Sequence, residues 1–213
     1  MNNHRQTNEP AIGLVLGQLT HAFDVQPVFS IQTCTIAPGE ECLIRGHNGS
    51  GKSTLGSILA GELTPSHGSL VWNQALQPIP AEALALMAYR VSPATALHPD
   101  LNIDELVEFQ SQFRGWRRGM DPLDWLKMGG LHKHRKRMYA ELSSGMQQRV
   151  KLALALTSDA GLVVLDEPCA NLDKSGTKWY RDLLQEIKGL ATLIVCSNDR
   201  LSDYIAPETT ITL

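Results

Sequence analysis

The feature that most constrains this chain is a glycine-rich segment between an apolar run and a stretch with helical periodicity. It reads, in order, Gly46, His47, Asn48, Gly49, Ser50, Gly51, Lys52 and Ser53. This segment satisfies the pattern GxxxxGK[ST] in full. The apolar run before it, Glu41–Arg45, predicts a strand, and the spacing of the apolar residues after it predicts a helix over about 52–60 that ends at Gly61. A strand, a glycine-rich turn and a helix in this order predict a phosphate-binding loop.

The residue types in this loop suit a nucleoside triphosphate. Glycines let the backbone fold tightly, so that its N–H groups point inward at a phosphate, and the helix that follows adds its positive N-terminal end. We expect Lys52 to reach the β- and γ-phosphates and the Ser53 hydroxyl to bind Mg²⁺. Ser50 and Thr54 are further candidates for phosphate contacts.

A second group of functional candidates follows a buried apolar run. Leu162–Leu165 has the composition of a central parallel strand, and Asp166 and Glu167 come directly after it. Because Asp166 would lie at the carboxyl end of the strand, next to the phosphate loop, we expect it to hold the Mg²⁺ shell. Glu167 points the other way along the pleat and is the candidate base that activates water.

The rest of the chain alternates predicted strands and helices, which indicates an α/β fold with a mostly parallel sheet. With 213 residues the chain fits one domain, which we place at 11–213 after a short disordered lead at 1–10. The stretch at about 89–144 differs from the rest, since it contains three prolines, helical pieces and 9 of the 19 Lys and Arg residues. We interpret it as a helical subdomain inserted into the sheet domain.

Many families of nucleotide-binding proteins share the two motifs described above. A third segment distinguishes among these families. It reads Leu142, Ser143, Ser144, Gly145, Met146, Gln147, Gln148 and Arg149. This resembles the LSGGQ signature of ATP-binding-cassette proteins, from which Ser144 and Met146 depart. The segment 170–173, after Asp166, resembles the D-loop of the same family, and the resemblance extends from about residue 12 to the end of the chain.

The resemblance implies a P-loop NTPase fold with an antiparallel β edge region, and ATP and Mg²⁺ as ligands. It also implies a second nucleotide-binding subunit, identical or different, whose γ-phosphate would be contacted in trans by Ser143 and Gly145. Phe23 lies where the family has an aromatic residue that stacks on adenine, although Phe23 is equally interpretable as a core residue. The chain departs from the family at two positions: Asn198 stands in place of a His, and Pro93 in place of a Gln. These losses predict a slow ATPase, with Glu167, Lys52 and Asn198 as its catalytic residues.

Composition narrows the function further. The net charge of -3 gives no indication of nucleic acid as a partner. No apolar run approaches the roughly 20 residues that cross a bilayer, and the four cysteines show no metal-ligand spacing. We therefore expect a cytoplasmic protein. The resemblance implies that integral-membrane transporter subunits attach it to the inner face of the membrane. Two alternatives remain: a regulatory cassette of a heterodimer that binds ATP but hydrolyses it poorly, and a soluble cassette that acts elsewhere.

Overall fold

The structure is a computed structural model that describes residues 6–7, 10–24 and 26–213. Its strands are β1 (Gln6–Thr7), β2 (Gly13–Ala22), β3 (Pro27–Ile31), β4 (Cys34–Ile36), β5 (Glu41–Arg45), β6 (His67–Gln74), β7 (Gln77–Ile79), β8 (Ala88–Val91), β9 (Trp116–Arg117), β10 (Leu162–Asp166), β11 (Thr192–Ser197) and β12 (Thr209–Thr212). Its α-helices are α1 (Lys52–Leu59), α2 (Ala81–Met87), α3 (Ile103–Ser111), α4 (Pro122–Met128), α5 (Ser144–Thr157) and α6 (Lys174–Ile187).

The centre of the fold is a five-stranded sheet in the order β12-β5-β11-β10-β8, in which every neighbouring pair is parallel. Strand β10 is fully buried, as its apolar sequence predicts. Strands β5 and β10 begin at the residues that the sequence predicts, and β11 lies between them in the sheet. The carboxyl ends of these three strands meet at one edge of the sheet, and the phosphate loop follows β5 at that edge.

Alternate residues of the central strands enter two separate apolar clusters. Leu162 and Val164 face helix α1 and the antiparallel sheet, whereas Val163 and Leu165 face α5 and α6. The period of two along a strand explains this division. The phosphate-loop helix α1 is therefore fixed against the same face of the sheet that carries Asp166.

The predicted antiparallel region is a second sheet in the order β3-β2-β6-β7, with β4 also paired to β2. All its pairs are antiparallel. It packs over α1 and closes the apolar cluster on that side of the central sheet. The predicted fold class, a parallel core sheet with an antiparallel edge region and helical insertion, is confirmed.

The helical insertion begins later than the sequence suggests. Residues 88–91 form β8, a strand of the central sheet, so the insertion starts after Val91 and not at about 89. Its α3 and α4 pack on α5, which leads back to β10. The insertion also contains β9, whose Trp116 and Arg117 pair in parallel with Gln6 and Thr7.

That pairing bears on the predicted disordered lead at 1–10. Residues 6–7 form strand β1, so this part of the lead has a regular backbone partner. The prediction for residues 1–5 and 8–9 falls outside the described residues. The reason sequence patterns miss a two-residue strand is that its pairing partner lies more than 100 residues away.

Candidate nucleotide-binding site

The loop from Gly46 to Gly51 has the conformation that its glycines allow. Gly49 and Gly51 have φ angles of 83° and 95°, a region that side chains disfavour. At Gly51 a Cβ would also meet the Val28 side chain at 2.6 Å. The loop ends at the first turn of α1, where the Leu55 N–H donates to the Gly51 carbonyl at 2.8 Å. The loop therefore depends on glycine at two positions of the segment that the sequence predicts to bind phosphate.

The Lys52 side chain folds back over this loop. Its Nζ donates to the carbonyls of Gly46 at 2.8 Å and His47 at 2.9 Å, and the residue is only 6% exposed. Close by, the buried Ser50 hydroxyl finds no hydrogen-bond partner among the described residues. An ammonium and a free hydroxyl in one glycine-rich loop are suited to an anionic ligand.

Asp166 and Glu167 lie where β10 ends. Asp166 is 3% exposed, whereas Glu167 is partly exposed and has a φ angle of 49°. The Glu167 N–H donates to the carbonyl of Cys196 at the end of the neighbouring strand β11, at 2.9 Å. This turn directs the Glu167 side chain into the same cleft that the phosphate loop lines. The two carboxylates therefore differ in exposure, and their assignment as metal ligand and base stays a prediction.

Asn198 connects two of the predicted site residues. Its Nδ2 donates to Oε1 of Glu167 at 2.8 Å and to Oδ1 of Asn48 in the phosphate loop. Both amide hydrogens are thus used within the protein. Asn198 therefore positions the carboxylate of Glu167 against the loop, a contact that its type alone did not indicate.

The cleft has a volume of about 520 Å³ and is lined by Phe23, Val28, Asn48, Gly49, Gly51, Lys52, Ser53, Thr54 and Glu167. Phe23 is 68% exposed, so it is not a core residue. Its ring meets His21 edge-on at a centroid distance of 4.9 Å, which leaves its other surface open. An exposed ring beside a phosphate loop is suited to stacking on a base.

A second polar pocket surrounds the N-terminus of α5. It is lined by Ser143, Ser144, Gly145, Met146, Arg149, Asn171 and Asp173, and it shares no residue with the first cleft. The Ser143 hydroxyl caps the helix by accepting from the Met146 N–H. At Gly145 a Cβ would lie 2.7 Å from the Asn171 carbonyl oxygen, so only glycine fits there.

Asp173 and Arg149 complete this second pocket. Arg149 donates to Oδ1 of Asp173 at 2.7 Å. The hydrogen bond from the Gly176 N–H, followed by those from Ser175 and Arg149, holds the pKa of Asp173 below its ordinary value. Asp173 is thus an anion that caps α6 and fixes the arginine of the α5 segment.

A buried network behind the site ties its loops together, and the sequence did not indicate it. The Asp203 carboxylate is 2% exposed and accepts from Ser197 Oγ at 2.6 Å and from the Cys169 N–H at 3.3 Å. Burial, reinforced by the charge of Asp203, raises the pKa of the Cys169 thiol to about 12. The network fixes the segments that follow β10 and β11.

Arg90 was also missed by the sequence prediction. It lies on β8, and its guanidinium contacts Asp166 at 3.7 Å and Glu62 at 2.9 Å. Pro93, expected at the position of a family glutamine, is exposed two residues after β8 ends. The preceding residue, Ser92, is buried. Its backbone N–H donates to Oγ1 of Thr95 at 2.9 Å, and its hydroxyl lies 3.2 Å from the same atom.

The residues present fit Mg²⁺ delivered with a nucleotide. Ser53 and Asp166 offer a hydroxyl and a carboxylate oxygen, the hard donors that Mg²⁺ accepts beside phosphate oxygens and water. The Ser53 side chain lines the cleft. Among residues 6–7, 10–24 and 26–213, no group of three or more His, Cys, Asp or Glu side chains could hold a metal ion.

This loop and its carboxylates, on a parallel sheet with a helical insertion, define a P-loop nucleotide-binding protein. The family model for ABC transporters matches residues 30–170. The CcmA protein of Xylella fastidiosa, named a cytochrome c biogenesis ATP-binding export protein, is 34% identical over 78% of this chain and 74% of its own length. The CcmA protein of Brucella abortus is 31% identical over 76% and 73% of the two chains. The chain therefore belongs to the ABC transporter family, as a compact ATP-binding subunit of bacterial type.

Solved structures agree with this fold. A putative ABC transporter ATP-binding protein from Pyrococcus furiosus superposes with a TM-score of 0.78 at 24% identity and covers 94% of this chain and 97% of its own. A bacterial Atm1-family ABC exporter with ATP bound superposes with a TM-score of 0.78 at 19% identity, over all of this chain and 39% of its own. In the described part of this chain, no helix combines the length and apolar character needed to cross a membrane.

Proposed function

We propose that this chain binds ATP with Mg²⁺ in the cleft and hydrolyses it to power a membrane transporter. The observation that supports this most directly is the position of Glu167. Its carboxylate lines the same cleft as Lys52 and Ser53, and Asn198 holds it against the phosphate loop. A base must lie within reach of the water that it activates, and this arrangement brings the base and the phosphate loop together.

Each residue has a separate task in the proposed reaction. Lys52, which now donates to two loop carbonyls, exchanges these partners for phosphate oxygens when ATP enters. Ser53 and Asp166 hold Mg²⁺, which neutralises the charge of the phosphates. Glu167 orients and deprotonates the attacking water, and Phe23 stacks on the adenine.

We further propose that the second pocket belongs to the site of another subunit. Its residues, including Ser143 and Gly145, combine backbone N–H groups at a helix start with a hydroxyl, which suits a γ-phosphate. Because this pocket shares no residue with the cleft, one chain offers two half-sites. A head-to-tail dimer would bring each half-site onto the other, and ATP would shift the population toward this closed dimer.

The proposed setting is the cytoplasmic face of the cell membrane, where integral-membrane subunits hold the chain and receive its motion. Nucleic acid is not a proposed partner. The relatives include an export protein for cytochrome c biogenesis and a ribose import protein of Rhizobium meliloti, which is 32% identical over 79% of this chain and 34% of its own length. Export in cytochrome c biogenesis is the transport function that we favour, because the CcmA relatives match over about three quarters of their own length and the ribose import protein over only 34%.

The test is steady-state ATP hydrolysis with Mg²⁺ for wild type, Glu167→Gln and Lys52→Ala. Thermal shift in the same samples measures binding, because a ligand that binds only the folded state raises its stability. We expect wild type to turn over ATP, Glu167→Gln to bind without turnover, and Lys52→Ala to lose the ATP-induced shift. A wild type that binds ATP but hydrolyses it no faster than Glu167→Gln would contradict the proposal.

That last outcome would favour the second candidate function, a regulatory cassette of a heterodimer. Two residues point toward it: Asn198 replaces a family His, and Pro93 supplies no polar side chain where a Gln is expected. Each lost transition-state contact costs roughly 2–4 kcal/mol if nothing replaces it. Wild-type turnover separates the two candidates directly.

A further inference from the structure

Arg90 reaches the carboxylate assigned to the metal from a strand that sequence motifs do not mark. It lies on β8 with its Cα opposite Val164 of β10, on the α1 side of the sheet. Gly56 of α1 lies beside it: an added Cβ there would be 3.2 Å from the Cys196 sulfur and 3.9 Å, an ordinary contact, from the Nε of Arg90.

The guanidinium lies between two carboxylates of different exposure. One nitrogen, Nη1, is 2.9 Å from Glu62, whose side chain is 50% exposed. The other, Nη2, is 3.7 Å from Oδ2 of Asp166, whose side chain is 3% exposed. The Nε atom is buried and has no hydrogen-bond partner in the described part of the chain. A largely buried cation thus faces the buried carboxylate at a distance longer than that to Glu62.

We propose that Arg90 is a positioning residue that sets the Mg²⁺ affinity of the site, and that Glu62 opposes its effect. This rests on the proposed function, in which Asp166 holds Mg²⁺. Arg90 places a positive charge 3.7 Å from Oδ2 of Asp166. Its positive charge also lowers the attraction of Asp166 for a divalent cation, while Glu62 draws the guanidinium away and partly neutralises it.

The proposal gives the two neighbours effects of opposite sign. Removing the arginine charge makes the site more negative, so Mg²⁺ binds more tightly. Removing the Glu62 charge leaves the guanidinium uncompensated beside Asp166, so Mg²⁺ binds more weakly. A merely structural role would damage the site in both variants, and both effects would then have the same sign.

The measurement is the dissociation constant of ATP by calorimetry, with Mg²⁺ and with EDTA, in proteins that carry Glu167→Gln to prevent hydrolysis. The ratio of the EDTA value to the Mg²⁺ value reports how much the site strengthens metal binding, because coupling between two ligands is reciprocal. We expect Arg90→Met to raise this ratio about tenfold and Glu62→Gln to lower it about threefold, the order expected for a unit charge at a partly solvated site.

Two controls sharpen the result. Arg90→Lys keeps the charge and should hold the ratio near that of the parent. Lys178→Met removes a surface cation that pairs with Asp182 on α6, away from the cleft, and should leave the ratio unchanged.

Asp166→Asn distinguishes a failure of the role of Arg90 from a failure of the metal assignment to Asp166. If it lowers the ratio while Arg90→Met and Glu62→Gln change it in the same direction or not at all, the role of Arg90 is wrong and the metal assignment stands. If Asp166→Asn leaves the ratio unchanged, the metal assignment in the proposed function is wrong and the role of Arg90 falls with it.

Discussion

At the scale of single residues, Asn198 organises the end of the cleft where the γ-phosphate would lie. Its amide bridges Glu167 and Asn48, so Asn198→Ala frees the carboxylate of Glu167. We expect turnover to fall about 10- to 100-fold, since a misplaced catalytic group loses much of its effect. The affinity for ATP should change little, because Lys52 and the loop backbone remain. Single-turnover hydrolysis and calorimetry on the same variant measure both quantities, and an unchanged rate would contradict this role.

A second prediction concerns a histidine in place of Asn198. Asn198→His can still donate a hydrogen bond to Glu167, so we expect most of the activity to remain near pH 8. An imidazole titrates near pH 6.5, and its protonated form would hold Glu167 as a carboxylate that is a weaker base. The rate of Asn198→His should therefore fall as the pH drops through about 6.5. A pH–rate profile that matches that of wild type would exclude contact between the two side chains.

Some residues of the candidate site could be predicted from the sequence, and others could not. The loop from Gly46 to Ser53 was predictable because its function needs particular residue types at fixed spacing. Phe23 was not settled, since an isolated aromatic residue suits a core as well as a cleft. Arg90 was missed because its importance comes from β8 lying beside β10, and strand order is a tertiary property.

At the scale of elements, the N-terminus of α5 packs tightly on the segment that follows β10. Gly145→Ala would place a Cβ 2.7 Å from the Asn171 carbonyl oxygen, a backbone atom that cannot move without shifting its segment. We expect this variant to keep the ATP-induced thermal shift, because the cleft is separate, and to lose most of its turnover. Glu186→Ala, at an exposed position of α6 outside both pockets, is the control and should stay near wild type. Equal activity of both variants would show that this contact is not needed.

A further prediction concerns Asp203, which joins the loops after β10 and β11 by hydrogen bonds. Asp203→Ala leaves the Ser197 hydroxyl and the Cys169 N–H without their buried acceptor. Losing such partners costs about 1–3 kcal/mol in the free energy of unfolding. Urea denaturation measures this change, and Asp182→Ala, on the exposed face of α6, is the control that should change it little. A stable Asp203→Ala protein would mean that water replaces the lost contacts.

The elements themselves were largely predictable where hydrophobic periodicity was strong. Strand β5 and the start of α1 agree with the prediction because an apolar run ends at a glycine turn. The start of the helical insertion was misplaced because β8 is short and contains Arg90, which interrupts its apolar pattern. The pairing of β1 with β9 could not be predicted, since two residues carry no periodicity.

At the scale of the whole molecule, one chain carries two pockets that share no lining residue. If each pocket is half of a nucleotide site, a single chain cannot form a complete site, and a second chain must supply the other half. The predicted consequence is complementation between two inactive variants. Lys52→Ala destroys the phosphate loop and spares the second pocket, whereas Ser143→Arg fills the second pocket and spares the loop.

Each variant alone should hydrolyse ATP at no more than a few per cent of the wild-type rate, because every site in its homodimer contains one damaged half. In a mixture, the loop of the Ser143→Arg chain meets the intact second pocket of the Lys52→Ala chain, which restores one complete site per mixed dimer. We therefore expect activity to reappear on mixing and to reach its maximum at equal amounts of the two variants. Mixing Lys52→Ala with a chain that carries both substitutions is the control, and it should stay inactive. A mixture as inactive as its components, beside an active wild type, would show that the second pocket does not act on the loop of another copy.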